Sequence, residues 1–153
     1  EKDPSDHEII YQIAVCYKQL EMYVDARTYL NLFINEFPND YIAHFLMGEL
    51  YFFDNDFLNA KQHFEQSLSI NPNDHISLYH LGICDFNAQD YLNAAKYFKK
   101  SIKIEPDYAQ AHFHLAIVYN ILGKTREVKK EMNIIYMLDE ALHNDLKIKL
   151  EQN

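Results

Sequence analysis

His112 and His114 lie two residues apart, which on a helix turns them to different sides, whereas a zinc-binding helix presents its pair at i and i+4. His80 and His114 are 34 residues apart, the interval at which this chain repeats, so the two imidazoles can line one surface side by side. With no third ligand evident, the pair reads as a pH-sensitive polar spot rather than a metal site. Cys16 and Cys84 occupy equivalent places in repeats separated by one whole repeat. Stacked helices lie roughly 8 to 10 Å apart, so these sulfurs should be on the order of 20 Å from each other, too far to pair. They read instead as two buried thiols, which fits a reducing compartment. Asp85 interrupts a column otherwise made of tyrosines and is expected either to bond a neighbouring tyrosine or to reach solvent. No Gly-rich phosphate loop, nucleophile elbow or Cys cluster is present, and no paired carboxylates lie outside turns or helix surfaces. Catalysis, a cofactor and a resident metal are therefore not expected.

The elements that position these residues are written in proline. Pro4, Pro38, Pro72 and Pro106 recur every 34 residues, each in a short polar turn. A unit of that length is one helical hairpin whose apolar face must be buried by its neighbours. With the prolines aligned, small residues fall into two columns, Ala14, Gly48, Gly82, Ala116 and Ala26, Ala60, Ala94, Val128, where two helices approach closely. Bulky residues fill others: Ile13, Met47, Leu81, Leu115; Tyr17, Tyr51, Asp85, Tyr119; and Leu30, Phe64, Phe98, Met132. The register gives repeats at 7–40, 41–74, 75–108 and 109–138, the last divergent. In the second, helices are predicted over 41–53 and 57–70, with Asp56, like Asp90 in the third, capping the second helix of the hairpin. Residues 1–6 read as the end of a preceding repeat, so the chain, which begins at Glu1, is expected to be a fragment of a longer array. Residues 139–153 read as a capping helix started by Asp139, with Leu138, Leu142, Leu146 and Leu150 inward and Asp145, Lys147 and Lys149 in water.

The pattern of a large residue, Leu-Gly, Tyr, Ala, Phe and Pro at fixed offsets resembles the tetratricopeptide repeat. His44, Met47-Gly48, Tyr51, Ala60, Phe64 and Pro72 carry it most fully, with His in the usual Trp place and Met for Leu. The resemblance spans nearly the whole chain and implies an all-α fold, a right-handed α-solenoid of stacked helix-turn-helix repeats closed by a C-terminal capping helix. It also implies that certain first-helix residues of each repeat face a concave, partner-binding groove. In this chain those are Tyr11 and Val15; Ile42, Phe45, Leu46, Glu49 and Phe53; Ile76, Tyr79, His80, Ile83 and Phe86; and Phe113, His114, Ile117 and Asn120. The implied groove is apolar, aromatic and nearly devoid of cations. The co-chaperone branch of the family clamps a terminal carboxylate with Lys, Asn and Arg, but the matching places here hold Tyr11, Val15, Leu46, Ile76 and His80, so that ligand is disfavoured.

The expected function is a protein-interaction scaffold that holds a peptide or helix through apolar anchors. Two alternatives stand beside it: a dedicated chaperone of apolar or exported segments, resembling those of type III secretion, and a docking or regulatory domain of a larger enzyme. Composition limits the other classes. The formal net charge is −9, and all of the imbalance lies in residues 1–76, with 13 acids and 4 bases, against 10 and 10 in residues 77–153. That balance argues against nucleic acid and anionic membranes as partners. Lys96, Lys99, Lys100 and Lys103, with Lys129 and Lys130, are the only basic concentrations and read as solvated helix faces. No apolar run is long enough to span a bilayer, and a cytoplasmic location is expected. The outer face of the first helix is expected to allow a weak homodimer.

Overall fold

The computed structural model describes residues 4–151. Among them, helices follow one another without a strand: α1 (Pro4–Gln19), α2 (Tyr23–Glu36), α3 (Tyr41–Phe53), α4 (Phe57–Ile70), α5 (His75–Asn87), α6 (Tyr91–Ile104), α7 (Ala109–Ile121), α8 (Thr125–Leu138) and α9 (Glu140–Glu151). They form two compact units, Glu1–Pro72 and Asn73–Asn153. In the first, α1 packs on α2, α2 on α3 and α3 on α4; in the second, α5, α6, α7 and α8 follow the same scheme, and α9 lies against both α7 and α8.

Local chemistry sets the ends of the helices. Asp56 Oδ1 accepts from the Asn59 N–H at 3.2 Å and its Oδ2 from the Asn59 amide at 2.7 Å; Asp90 and Asn93 repeat the arrangement at the same two distances. These bonds satisfy free N–H groups of a first turn and hold the Asp56 carboxyl below its ordinary pKa. Asp40 and Asp139 cap α3 and α9 by accepting from the N–H three residues on, and Asp74 caps α5 by accepting from the Ile76 N–H and the Ser77 hydroxyl. The turn inside each hairpin reverses through one left-handed residue, and that residue is Glu21, Asn55, Gln89 or Gly123, always at the same place in the repeat. Only the last is a glycine, the residue that adopts this conformation without steric cost. Pro4 opens α1, so this helix starts three residues earlier than the period predicts. A proline is compatible with a first helical turn because its missing N–H has no partner there. Residues 1–3, the remainder of that predicted turn, lie outside the described residues, as do 152 and 153.

The close-approach columns are tight. A Cβ added to Gly48 would lie 2.7 Å from the Phe64 ring, and one added to Gly82 would lie 2.5 Å from the Phe98 ring. Where the facing residue is Leu30 or Met132 instead, the column holds Ala14 or Ala116, both buried. Ser67 and Ser101, also buried, tie each hairpin together by donating to the carbonyls of Tyr41 and His75 at 2.9 and 2.8 Å. In the first unit the core gathers Ala14, Ala26, Leu30, Ala43, Met47 and Leu50; in the second, one cluster gathers Phe113, Ala116, Ile135 and Leu146.

Two readings of buried groups divide. Cys84 is buried but Cys16 is exposed, in correction of the expectation of two buried thiols. Cys16, with Ile9, Gln12, Ile13, Tyr17 and Leu20, lines an open depression of about 440 Å³ on α1. The equivalent residues of α3, Ala43, Met47 and Leu50, belong to the core cluster that includes Ala26 and Leu30 of α2. No described helix covers α1 in that way. Asp85 is buried, at 2% exposure, which removes the solvent-facing alternative.

Candidate functional site: two aromatic faces on the first helices

In the first unit the predicted groove residues of α3 lie on one side of the helix. Ile42 and Phe53 are exposed, while Phe45, Leu46, Glu49 and, on α1, Tyr11 are half-buried. The Phe45 ring leans on Phe64 at 5.7 Å between centroids, Tyr11 on Phe33 at 5.4 Å, and Phe53 stacks on Tyr23 at 5.7 Å. One cation was missed from the sequence. Lys18, near the end of α1, forms an ion pair with Glu49 and stands 5.8 Å over the Phe53 ring. It lies in one of the groove columns, at the place where Phe53 falls one residue later in the next repeat, so the column itself was the available signal. The face therefore offers apolar surface beside a neutralised charge pair.

In the second unit the predicted residues divide. Ile76 is exposed, and Tyr79, His80, His114 and Ile117 are half-buried, but Ile83 and Phe113 are covered. Phe113 is a correction with a clear cause: it packs with Ile135 of α8 and Leu146 of α9, and Lys149 Nζ sits 4.8 Å over its ring, so the capping helix takes this side chain into the core. Ile83, at 9% exposure, likewise belongs to the packed side of α5 rather than to an open wall.

Tyr79 is the hub of what remains. Its ring meets His80, Phe98, Tyr108 and His114 with centroids 5.2 to 5.8 Å away. Tyr79 Oη and the Gln110 carbonyl both lie near His114 Nδ1, at 3.2 and 3.0 Å. Because a carbonyl only accepts, Nδ1 carries the proton and shares it between the two oxygens. Burial pushes the His114 pKa down, against the Gln110 bond and helped by Lys149, so the neutral ring keeps Nε2 as an acceptor. Burial also pushes the Tyr79 and Tyr108 hydroxyls up, with the Tyr108 phenol adding at Tyr79 and Asp74 adding at Tyr108. All three groups are uncharged near neutrality. His80 and His114 thus meet through Tyr79 rather than directly. No three His, Cys, Asp or Glu side chains converge to hold a metal ion among the described residues.

Both remaining buried histidines serve the fold. His44 and His112 stand at the same place in repeats two and four, and Nε2 of each lies 3.0 or 2.9 Å from the carbonyl of the preceding turn proline, Pro38 or Pro106. Their second neighbours differ. His112 Nδ1 meets Glu131 Oε2 at 2.6 Å, whereas His44 stacks on His63, which fills the place of Glu131, at 5.9 Å.

With this geometry in hand, comparison with known proteins is decisive. Tetratricopeptide repeat models match residues 8–40, 41–74, 76–108 and 97–130. The chain belongs to the tetratricopeptide repeat family. Arrays of this repeat are protein-interaction scaffolds, and the chain falls in that class. A search of curated proteins gave no significant match. Among solved structures, a crystal structure of MamA shares 19% identity at a TM-score of 0.84, over 91% of this chain and 81% of that one. MamA from Desulfovibrio magneticus RS-1, from residue 41 to its end, shares 18% at 0.81, over 90% and 78%. The first tetratricopeptide domain of Spaghetti (RPAP3), solved with an HSP90 peptide SRMEEVD, shares 16% at 0.74, over 79% and 96%. At such identities the likeness is one of fold, the all-α solenoid of helical hairpins. No described helix is long and apolar enough to cross a membrane.

Proposed function

We propose that the α3 face of the first unit and the α5 face of the second are each a surface that holds a partner protein segment through its apolar side chains. The observation that carries this reading is the exposure of Ile42, Phe53 and Ile76 on helix faces that the repeat's own packing leaves unused. Leu81 and Met47 already fill the hairpin interiors, so Ile42 and Ile76 lie outside them, and Phe53 leaves about half of its surface open while stacking on Tyr23. A helix or extended segment bearing apolar anchors suits such a face, with the neutral Tyr79 and His114 beside it rather than a charged clamp. RPAP3 was solved with a carboxylate-rich peptide. The clamp places in this chain carry Tyr11, Val15, Leu46, Ile76 and His80, which supply no fixed positive charge, so a ligand of that kind is not what these residues fit.

The test is affinity capture with the whole chain, comparing wild type with Ile42→Glu/Phe53→Ala and, separately, Ile76→Glu. All three changes sit on exposed residues, so thermal melting should stay near wild type. A partner held here should bind at least about tenfold more weakly to either variant. Equal capture by wild type and both folded variants sinks the reading.

A further inference from the structure

The second unit carries a different surface on its second helices. α6 has Lys96, Lys99, Lys100 and Lys103 and no acid; α8 has Arg126, Lys129 and Lys130 against Glu127 and the buried Glu131. All seven basic side chains are exposed. In a chain of net charge −9 this is a local inversion. Between the two helices and α7 opens a cleft of about 440 Å³, walled by Ile102, Leu115, Tyr119 and Ile134, with Lys99 and Lys130 among its lining and His112, Glu131 and Pro106 completing it.

The one carboxylate in the cleft is already taken. Glu131 bonds His112, whose Nε2 faces the Pro106 carbonyl. Two acceptors against one imidazole call for both nitrogens to be protonated, so the buried pair is internally neutral. The ammonium groups of Lys99 and Lys130 form no ion pair with any described residue; Lys99 instead sits 5.4 Å over the Tyr119 ring. Two unneutralised cations thus flank an apolar hollow large enough for a single big side chain. We propose that this cleft docks an acidic peptide segment, one aliphatic or aromatic side chain entering between Ile102, Leu115 and Ile134 and flanking carboxylates meeting Lys99 and Lys130. Charge complementarity selects this occupant, and the hollow selects its anchor. A long polyanion or an anionic lipid surface would meet the same lysines but would leave the hollow unfilled, and it would be repelled by the acidic remainder of the chain.

None of the residues lining this cleft belongs to the α3 or α5 face, so its test is independent of theirs. Fluorescence anisotropy of the whole chain would use a labelled, acetylated and amidated peptide, Asp-Glu-Glu-Phe-Glu-Asp. Its comparison peptides replace Phe by Ser or the acids by Asn and Gln. Lys99→Glu and Lys130→Glu should each weaken binding about tenfold, while Lys147→Glu on α9, an equal change of net charge, should leave it within about twofold. The Ser peptide should bind at least about fivefold more weakly. Absent binding overturns the proposal. So does equal loss with Lys147→Glu, indifference to the Phe anchor, or a single-stranded RNA or phosphatidylserine vesicle competing at lower concentration than the peptide.

Discussion

Repeats two and four place the same two columns against each other and fill them with opposite chemistry. In α3 and α4, His44 faces His63; in α7 and α8, His112 faces Glu131. Both first members take the carbonyl of a turn proline, so the scaffold contact is shared and only the second partner differs. The result is opposite proton demand. Burial, with His44 adding, pushes the His63 pKa down to about 4, so that ring is neutral in the fold. For His112, burial pulls down but the Glu131 and Pro106 bonds and the Glu131 charge outweigh it, with Lys130 opposing, and the pKa rises. His63 excludes a proton and His112 requires one. A similar division runs along the second helices, where α4 carries Gln62 and Glu65 at the places that hold Lys96 and Lys99 in α6. The shared order of helices and turns therefore tells little about charge, and each repeat acquires its electrostatics from one or two columns.

The two ends of the array give the largest contrast to break. Leu146 is fully buried beneath α9, while Ile9 on α1 is half exposed. Leu146→Ala should cost about 2–5 kcal/mol by denaturant unfolding. Ile9→Ala should stay within about 0.5 kcal/mol. Equal losses would show that the open depression on α1 is covered in solution.

Next come the glycine columns. Gly82→Ala pushes a methyl into Phe98 and should cost about 1–3 kcal/mol. Adding Phe98→Leu, which rebuilds the Ala14/Leu30 pairing of repeat one, should recover part of that loss. If the two changes are merely additive, the pairing is not the cause.

The smallest effects sharpen the histidine comparison. His63 has a folded pKa below its unfolded value, so the unfolded chain binds more protons as pH falls below 6.5, and stability drops from there down to about 4. His112 is the reverse: its contribution is complete below 6.5 and fades as pH rises through its elevated folded pKa. His63→Phe should flatten the acid limb of melting temperature against pH and leave the alkaline one. Glu131→Gln should cost about 1–3 kcal/mol near pH 6 and remove the alkaline decline. Parallel pH profiles for the two variants would refute the opposition.

Much of this was legible in the chain. The proline interval gave the hairpins, and α3 and α4 begin and end where the period and the Asp56 cap place them. The small columns announced the close approaches, and Asp139 with the Leu142, Leu146 and Leu150 spacing announced α9, although Leu138, read as inward with them, ends α8 exposed. The sites were less legible, because a column says which way a side chain leaves its helix but not what arrives to meet it. Phe113 belongs to a groove column and ends in the core because α9 crosses it. Lys18 belongs to one too, and its charge is cancelled by Glu49, 31 residues away.

By itself, then, the sequence determined the repeat, its register, its caps and its alternation of large and small residues, since each depends on contacts within one hairpin or on φ/ψ preferences of single residues. Tertiary structure alone decided which apolar faces stay open, which histidines are charged, and where lysines stand unpaired. Those outcomes depend on distances of a few ångströms between residues far apart in the chain, and burial and Coulomb interactions change steeply over such distances.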